Sequence, residues 1–167
     1  MENKFIIGVD PGQNGGVAVW DCEKSQVCEI HSMFETPLDV LMFFRKFDAG
    51  STVCYLEKVG GMPGQGGSAM FNFGCGFGHL EMALLSCNIK TIEVSPQKWQ
   101  KMYSLGSRKT AGGSKEWKIK LKECAQRLFP QVWVEFGIKT KKAEMAICDA
   151  LLIMNYGVKD LQTRLES

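Results

Sequence analysis

The chain has 167 residues, of which 45% are hydrophobic and 23% charged, proportions that fit one globular domain and exclude a disordered or fibrous chain. No apolar run approaches the ~20 residues that cross a bilayer, and the N-terminus lacks a secretory pattern, so we expect one intracellular domain over residues 1–167. The formal net charge of +2 hides an asymmetry, because residues 98–142 hold twelve Lys or Arg and three Glu, a local net charge of +9. This basic third favours a protein that holds phosphates, nucleic acid above all, although a solvated helix face is the alternative for any single lysine.

In the first half of the chain, hydrophobic runs that end at turn residues predict strands. A Pro-Gly turn and a Gly-Gly pair separate the first two runs, which favours a hairpin. We expect strands over residues 5–10, 17–20, 26–31 and 52–57. Apolar residues at helical spacing predict a first helix over 37–47, between the third and fourth strands.

The second half of the chain predicts mainly helices. A glycine-rich loop over 60–67 precedes a long helix over 68–88, whose three internal glycines indicate close packing against another surface. We expect a strand over 89–94, a helix from Pro96, a mobile loop over 105–114, and helices over 115–129 and 143–156, the last ended by Gly157. This order of elements predicts a mixed α/β sheet that helices cover.

Seven cysteines could suggest a disulfide framework, but the number is odd and no C-x-x-C pair occurs. The chain has two histidines, His31 and His79, which makes a structural zinc site a poor explanation. We expect reduced thiols, most of them in the core.

Three widely separated acids stand among apolar neighbours. Asp10 ends the first predicted strand, Glu57 ends the fourth, and Asp149 lies inside the last predicted helix. Unpaired buried carboxylates are costly, and divalent cations such as magnesium neutralise them through the oxygen ligands that these cations prefer. A helix cap or a separate pair with a lysine is the better explanation for any one acid alone, but it explains the three together less well.

Short motifs spread from Phe5 to about Gly157 resemble one known family. They are Ile7-Gly8-Val9-Asp10-Pro11-Gly12, Gly15-Gly16-Val17-Ala18, Tyr55-Leu56-Glu57, Phe71-Asn72-Phe73-Gly74, Arg127-Leu128-Phe129-Pro130 and Asp149-Ala150-Leu151-Leu152-Ile153. Together they are similar to the RuvC family of Holliday-junction resolvases, within the RNase H-like nucleases. The segments Met62-Pro63-Gly64-Gln65-Gly66 and Val94-Ser95-Pro96-Gln97-Lys98-Trp99 most resemble phage-type members.

The resemblance implies a five-stranded RNase H-like α/β sheet flanked by helices, a homodimer, and magnesium-dependent paired nicking of four-way DNA junctions. It places Asp10, Glu57 and Asp149 in a catalytic site that binds two Mg²⁺ ions, with Mn²⁺ as a substitute. Many members carry a fourth acid three residues before the last one, but that position here is Ala146. Glu144 is the nearest substitute and would be the fourth catalytic, metal-binding acid.

The resemblance also assigns DNA contacts within the basic third. Lys101 and Lys118 resemble phosphate-facing lysines, either of which could stabilise charge at the cut site; Lys118 is assigned to the catalytic set and Lys101 to the DNA contacts. DNA backbone contacts are expected from Lys98, Arg108, Lys109 and Lys115, without sequence readout. Solvated helix faces explain Lys98, Lys115, Lys120 and Lys122 equally well. Met62 would insert at the junction as an apolar wedge, although packing of its own loop is an equal alternative.

Two other functions share these residues. A nuclease of the same fold could act on other branched or RNA-containing substrates, and a non-catalytic junction-binding module would explain Ala146. For the dimer, we expect the helix over 68–88 to form the interface through Phe71, Phe73 and Phe77, unless these residues pack inward.

Overall fold

The computed structural model describes residues 3–60, 66–138 and 141–166, which form a five-stranded mixed sheet with helices on both faces. The strands are β1 (Phe5–Asp10), β2 (Gly16–Asp21), β3 (Gln26–Ser32), β4 (Thr52–Glu57) and β5 (Lys90–Val94). Their spatial order is β3-β2-β1-β4-β5; β1, β2 and β3 pair antiparallel, whereas β1, β4 and β5 run parallel. This arrangement confirms the predicted α/β sheet and places every predicted strand.

Six α-helices surround the sheet in the described residues. They are α1 (Pro37–Phe44), α2 (Gly67–Ser86), α3 (Pro96–Lys101), α4 (Ser114–Leu128), α5 (Val132–Glu135) and α6 (Lys141–Glu166). The start of α1 is fixed by a capping box, in which Thr36 accepts a hydrogen bond from the Asp39 amide and Asp39 accepts one in return. The helix ends at Phe44, three residues earlier than predicted, and the short helix α5 was not predicted.

The alternation of side chains along the strands divides the core between the two faces of the sheet. On one face, Ile7 packs with Phe44 of α1 and Leu84 of α2. On the other face, Ile6 packs with residues of α3, α4 and α6, among them Trp99 and Leu152. Helix α6 therefore lies on the face opposite α1 and α2, across β1 and β2.

The predicted end of the last helix at Gly157 is wrong, because α6 continues to Glu166. Gly157 lies against β4, where an added Cβ would be 2.5 Å from Cδ2 of Tyr55. The Tyr55 hydroxyl donates a hydrogen bond of 2.8 Å to Asp160, one turn further along the helix. Gly157 therefore permits close packing of the helix on the sheet and does not terminate the helix.

The glycines of α2 have no packing partner within the described part of a single chain. A Cβ at Gly74, Gly76 or Gly78 would meet nothing within 4 Å. Phe77 does pack on the core, but Phe71 is 71% exposed. The outer face of α2 is therefore apolar, rich in glycine and uncovered by the rest of the described chain.

All seven cysteines are free, as predicted. None of the helices that the structure describes is long and apolar enough to cross a membrane.

Candidate active site

The sheet topology brings two of the predicted acids together. Asp10 and Glu57 are the last residues of β1 and β4, which are parallel neighbours, so both carboxylates lie at the same edge of the sheet. Asp149 comes to this edge on α6, whose backbone at Ala150 and Met154 lies directly on Gly8 of β1. A Cβ at Gly8 would overlap that backbone, so the glycine is required for Asp149 to approach Asp10.

Electrostatic interactions show that these three carboxylates form one cluster. Burial, followed by the charge of Asp10, raises the pKa of Glu57 to about 8, and the charge of Asp149 contributes to this rise. Burial, followed by the charge of Asp10, raises the pKa of Asp149 to about 7. Burial also raises the pKa of Asp10, whose Oδ1 accepts a hydrogen bond of 3.3 Å from the Gly12 amide. The ionised forms of all three carboxylates are therefore disfavoured in the absence of a cation.

Lys118 is a cation that acts on this cluster. It lies on α4, and its charge lowers the pKa of both Asp10 and Asp149. Helix α4 is held against α6 by its buried residues Trp117 and Leu121. The structure therefore places the predicted catalytic lysine beside two of the predicted catalytic acids.

Trp99 contacts the cluster through a hydrogen bond that the sequence reasoning missed. Its indole N–H donates to Oε1 of Glu57 at 2.8 Å, and its side chain is fully buried. One feature of the sequence could have indicated this contact. Trp99 lies in the short helix that follows β5, and β5 is the neighbour of β4, the strand that ends at Glu57.

Glu144 is placed differently from the other three acids. Its Oε2 accepts a hydrogen bond of 2.7 Å from Nζ of Lys122, and both side chains are partly buried. The charges that shift the pKa values of Asp10, Glu57 and Asp149 are those of one another and of Lys118. Ala146, at the position of the missing acid, is buried close to Gly16.

The chemistry of the three carboxylates fits a divalent cation, because they are oxygen ligands that are costly to ionise in this buried site without a positive charge nearby. Their spacing in this structure is wider than coordination requires. Among the described residues, no group of three His, Cys, Asp or Glu side chains is close enough together to hold a metal ion. A bound cation would therefore have to draw the carboxylates together.

The predicted DNA-binding residues are exposed on the described surface. Lys98 and Lys101 lie on α3, Arg108 and Lys109 in the turns before α4, and Lys115 in the first turn of α4. Helices α3 and α4 pack on the same face of the sheet as α6. Met62 lies outside the described residues.

A cavity of about 910 Å³ lies between the β1–β2 turn and α2 and was not predicted. Pro11 and Asn14 line it from the β1–β2 turn, Asn72 and His79 from α2, and Ala146 from α6. Asp10, Glu57 and Asp149 are not among the described residues that line this cavity.

Comparisons with known proteins identify the fold. No family model matches the sequence, and no curated protein matches it. Among solved structures, Thermus thermophilus RuvC in complex with a Holliday junction substrate matches with a TM-score of 0.62 and 13% identity, over 95% of this chain and 96% of that chain. A second structure of Thermus thermophilus RuvC matches with a TM-score of 0.53 and 12% identity, over 93% and 96% of the two chains. These matches confirm the predicted RNase H-like fold.

Proposed function

We propose that this protein is a Holliday-junction resolvase, an endonuclease that uses divalent metal ions to make paired nicks in four-way DNA junctions. One observation carries the proposal: three carboxylates converge at the ends of β1 and β4 and on α6. The fold that holds them matches that of RuvC, one structure of which contains a Holliday junction. We also propose that the protein is a phage-type resolvase, because two of its sequence motifs resemble phage-type members.

Asp10, Glu57 and Asp149 would hold two Mg²⁺ ions, with Mn²⁺ as a substitute. When bound, such a pair supplies an activated water and stabilises the leaving oxygen of the scissile phosphate. Besides burial, the charge of Asp10 raises the pKa of both Glu57 and Asp149, and Asp10 would therefore be a ligand of both ions. Lys118 would offset the negative charge of the phosphate beside Asp10 and Asp149.

Glu144 has a partner of its own in Lys122, which supports a core of three carboxylates. We propose that Glu144 assists this core from outside and enters it only by releasing Lys122. The ion pair also links α4 to α6, one helical turn from Lys118 on α4.

The exposed cations of α3, α4 and the turns between them would hold the DNA backbone. Such contacts position a duplex without reading its sequence. These residues are Lys98, Lys101, Arg108, Lys109 and Lys115. Met62 would also contact the DNA, as an apolar side chain that inserts at the junction.

We also propose a homodimer, because a four-way junction offers two equivalent strands and each chain carries one acidic cluster. The exposed face of α2 supports this proposal. Phe71 and Leu85 are each 71% exposed there, and Gly74 and Gly78 would let a second backbone approach.

Cleavage of a panel of synthetic DNAs tests the proposed substrate. Four-way, three-way, flap and RNA-containing duplexes are incubated with the protein, with and without Mg²⁺. We expect Mg²⁺-dependent paired nicks in the four-way junction and slower or no cleavage of the others. Preference for a flap or an RNA-containing duplex would instead identify another nuclease of this fold.

A non-catalytic junction-binding module is the second candidate. The spacing of the carboxylates and the alanine at position 146 favour it. Binding of the four-way junction without cleavage of any substrate in Mg²⁺ or Mn²⁺ would establish this alternative.

A further inference from the structure

We propose that Trp99 is a positioning residue for Glu57, the carboxylate that would bind the cation: its indole N–H holds Oε1 and so fixes the orientation of the carboxylate. The inference rests on the proposed function for the cation, but the contact between Trp99 and Glu57 is independent of it. The two atoms are 2.8 Å apart, and the tryptophan side chain is fully buried.

The indole N–H is suited to this role because it is a donor only and carries no charge. A lysine at the same place would neutralise Glu57 and compete with the cation. A neutral donor orients the carboxylate and favours its ionised form, and so keeps the negative charge available to the cation.

Trp99 is itself held in place from two sides. Ser95 caps the short helix α3 by accepting a hydrogen bond of 3.3 Å from the Lys98 amide. On the other side, the ring of Tyr103 meets Trp99 edge to face, with centroids 6.3 Å apart. The indole therefore has little freedom to leave Glu57.

Tyr103 extends this support to the helix that carries Asp149. Its hydroxyl donates to the carbonyl of Leu152 and accepts a hydrogen bond of 3.2 Å from the side chain of Asn155, both on α6. A continuous series of contacts thus runs from Glu57 through Trp99 and Tyr103 to α6. This series fixes the relative position of a carboxylate on β4 and one on α6.

The contact can be tested without DNA or metal, because the protein has four tryptophans and therefore four indole N–H signals in a ¹⁵N-labelled sample. Trp99→Phe identifies one of these signals by its loss. We expect that signal to shift upfield in Glu57→Gln, which replaces the charged acceptor by a neutral one. If Trp99→Phe does not fold, phenylalanine substitutions at the other three tryptophans identify the signal by elimination. An unchanged Trp99 signal in Glu57→Gln would overturn the proposal.

The positioning role is tested by titrating Mg²⁺ alone, by calorimetry, into the wild type and two variants. Trp99→Phe is expected to weaken Mg²⁺ binding roughly 10–100-fold, the usual loss when a partner of a metal ligand is removed. The matched control is Trp133→Phe, because the buried indole nitrogen of Trp133 has no hydrogen-bond partner among the described residues. The control should bind Mg²⁺ as the wild type does. Equal Mg²⁺ affinity in the wild type and Trp99→Phe would contradict the role, whereas absence of nicking in a protein that binds Mg²⁺ would contradict only the proposed function.

Discussion

At the scale of single residues, the acidic cluster makes the stability of the protein depend on pH. The pKa of Glu57 rises from 4.5 in the unfolded chain to about 8 in the folded protein, and that of Asp149 from 3.8 to about 7. Between about pH 4.5 and pH 8, the folded state therefore binds more protons than the unfolded state. The contribution of these two groups to the stability of the folded state therefore falls as the pH rises through this interval.

We therefore predict that, in metal-free buffer, the melting temperature of the wild type falls between pH 5 and pH 8. Asp149→Asn removes one titrating group and should show a shallower fall, and added Mg²⁺ should raise the melting temperature most at pH 8. Melting curves at a series of pH values measure both effects. A wild type that melts higher at pH 8 than at pH 5 in chelator would contradict the raised pKa values.

The ion pair of Glu144 leads to a second prediction at this scale. Because Glu144 is bonded to Lys122, Glu144→Gln should lower the nicking rate only roughly 10–100-fold, the usual loss for a residue that supports the metal ligands without being one. Asp149→Asn should remove nicking under the same conditions. Rates across a Mg²⁺ titration provide the measurement. Loss of all nicking in Glu144→Gln would show that Glu144 is a full member of the acidic site.

At the scale of elements, strands were predictable because side-chain alternation and turn residues define them locally. Asp10 and Glu57 could be assigned to one site because both end strands, and parallel neighbours end at one edge. The partners of Glu57 and Glu144 could not be predicted, since each depends on how two distant elements pack. The end of α6 was misjudged because glycine after a helical pattern usually indicates termination, whereas Gly157 provides space for Tyr55.

A pair of glycine substitutions tests this reading of α6. Gly157→Ala should destabilise the protein by about 1–3 kcal/mol, because the new Cβ has no room beside Tyr55. Gly76→Ala, at a helical glycine with open space around it, should stabilise the protein by about 0.5–1 kcal/mol. Urea denaturation gives both values. A neutral or stabilising Gly157→Ala would show that α6 does not pack closely on β4.

At the scale of the whole molecule, the exposed apolar face of α2 predicts a dimer. Phe71→Asp should yield a monomer in sedimentation at micromolar concentration, because it places a charge at the centre of the proposed interface. Leu165→Asp is the matched control, since Leu165 is 82% exposed at the far end of the chain from α2. A monomeric wild type, or an intact Phe71→Asp dimer, would rule out this interface.

The central claim is that the carboxylate cluster around Asp10 cleaves DNA junctions with the help of divalent metal. Its most direct test compares the wild type with Asp10→Asn on one labelled four-way junction, measuring binding and Mg²⁺-dependent nicking in parallel. We predict that Asp10→Asn binds the junction at least as tightly as the wild type and produces no nicks, because the substitution removes a metal-binding charge and leaves the basic surface intact. Nicking by Asp10→Asn at the rate of the wild type would contradict the claim.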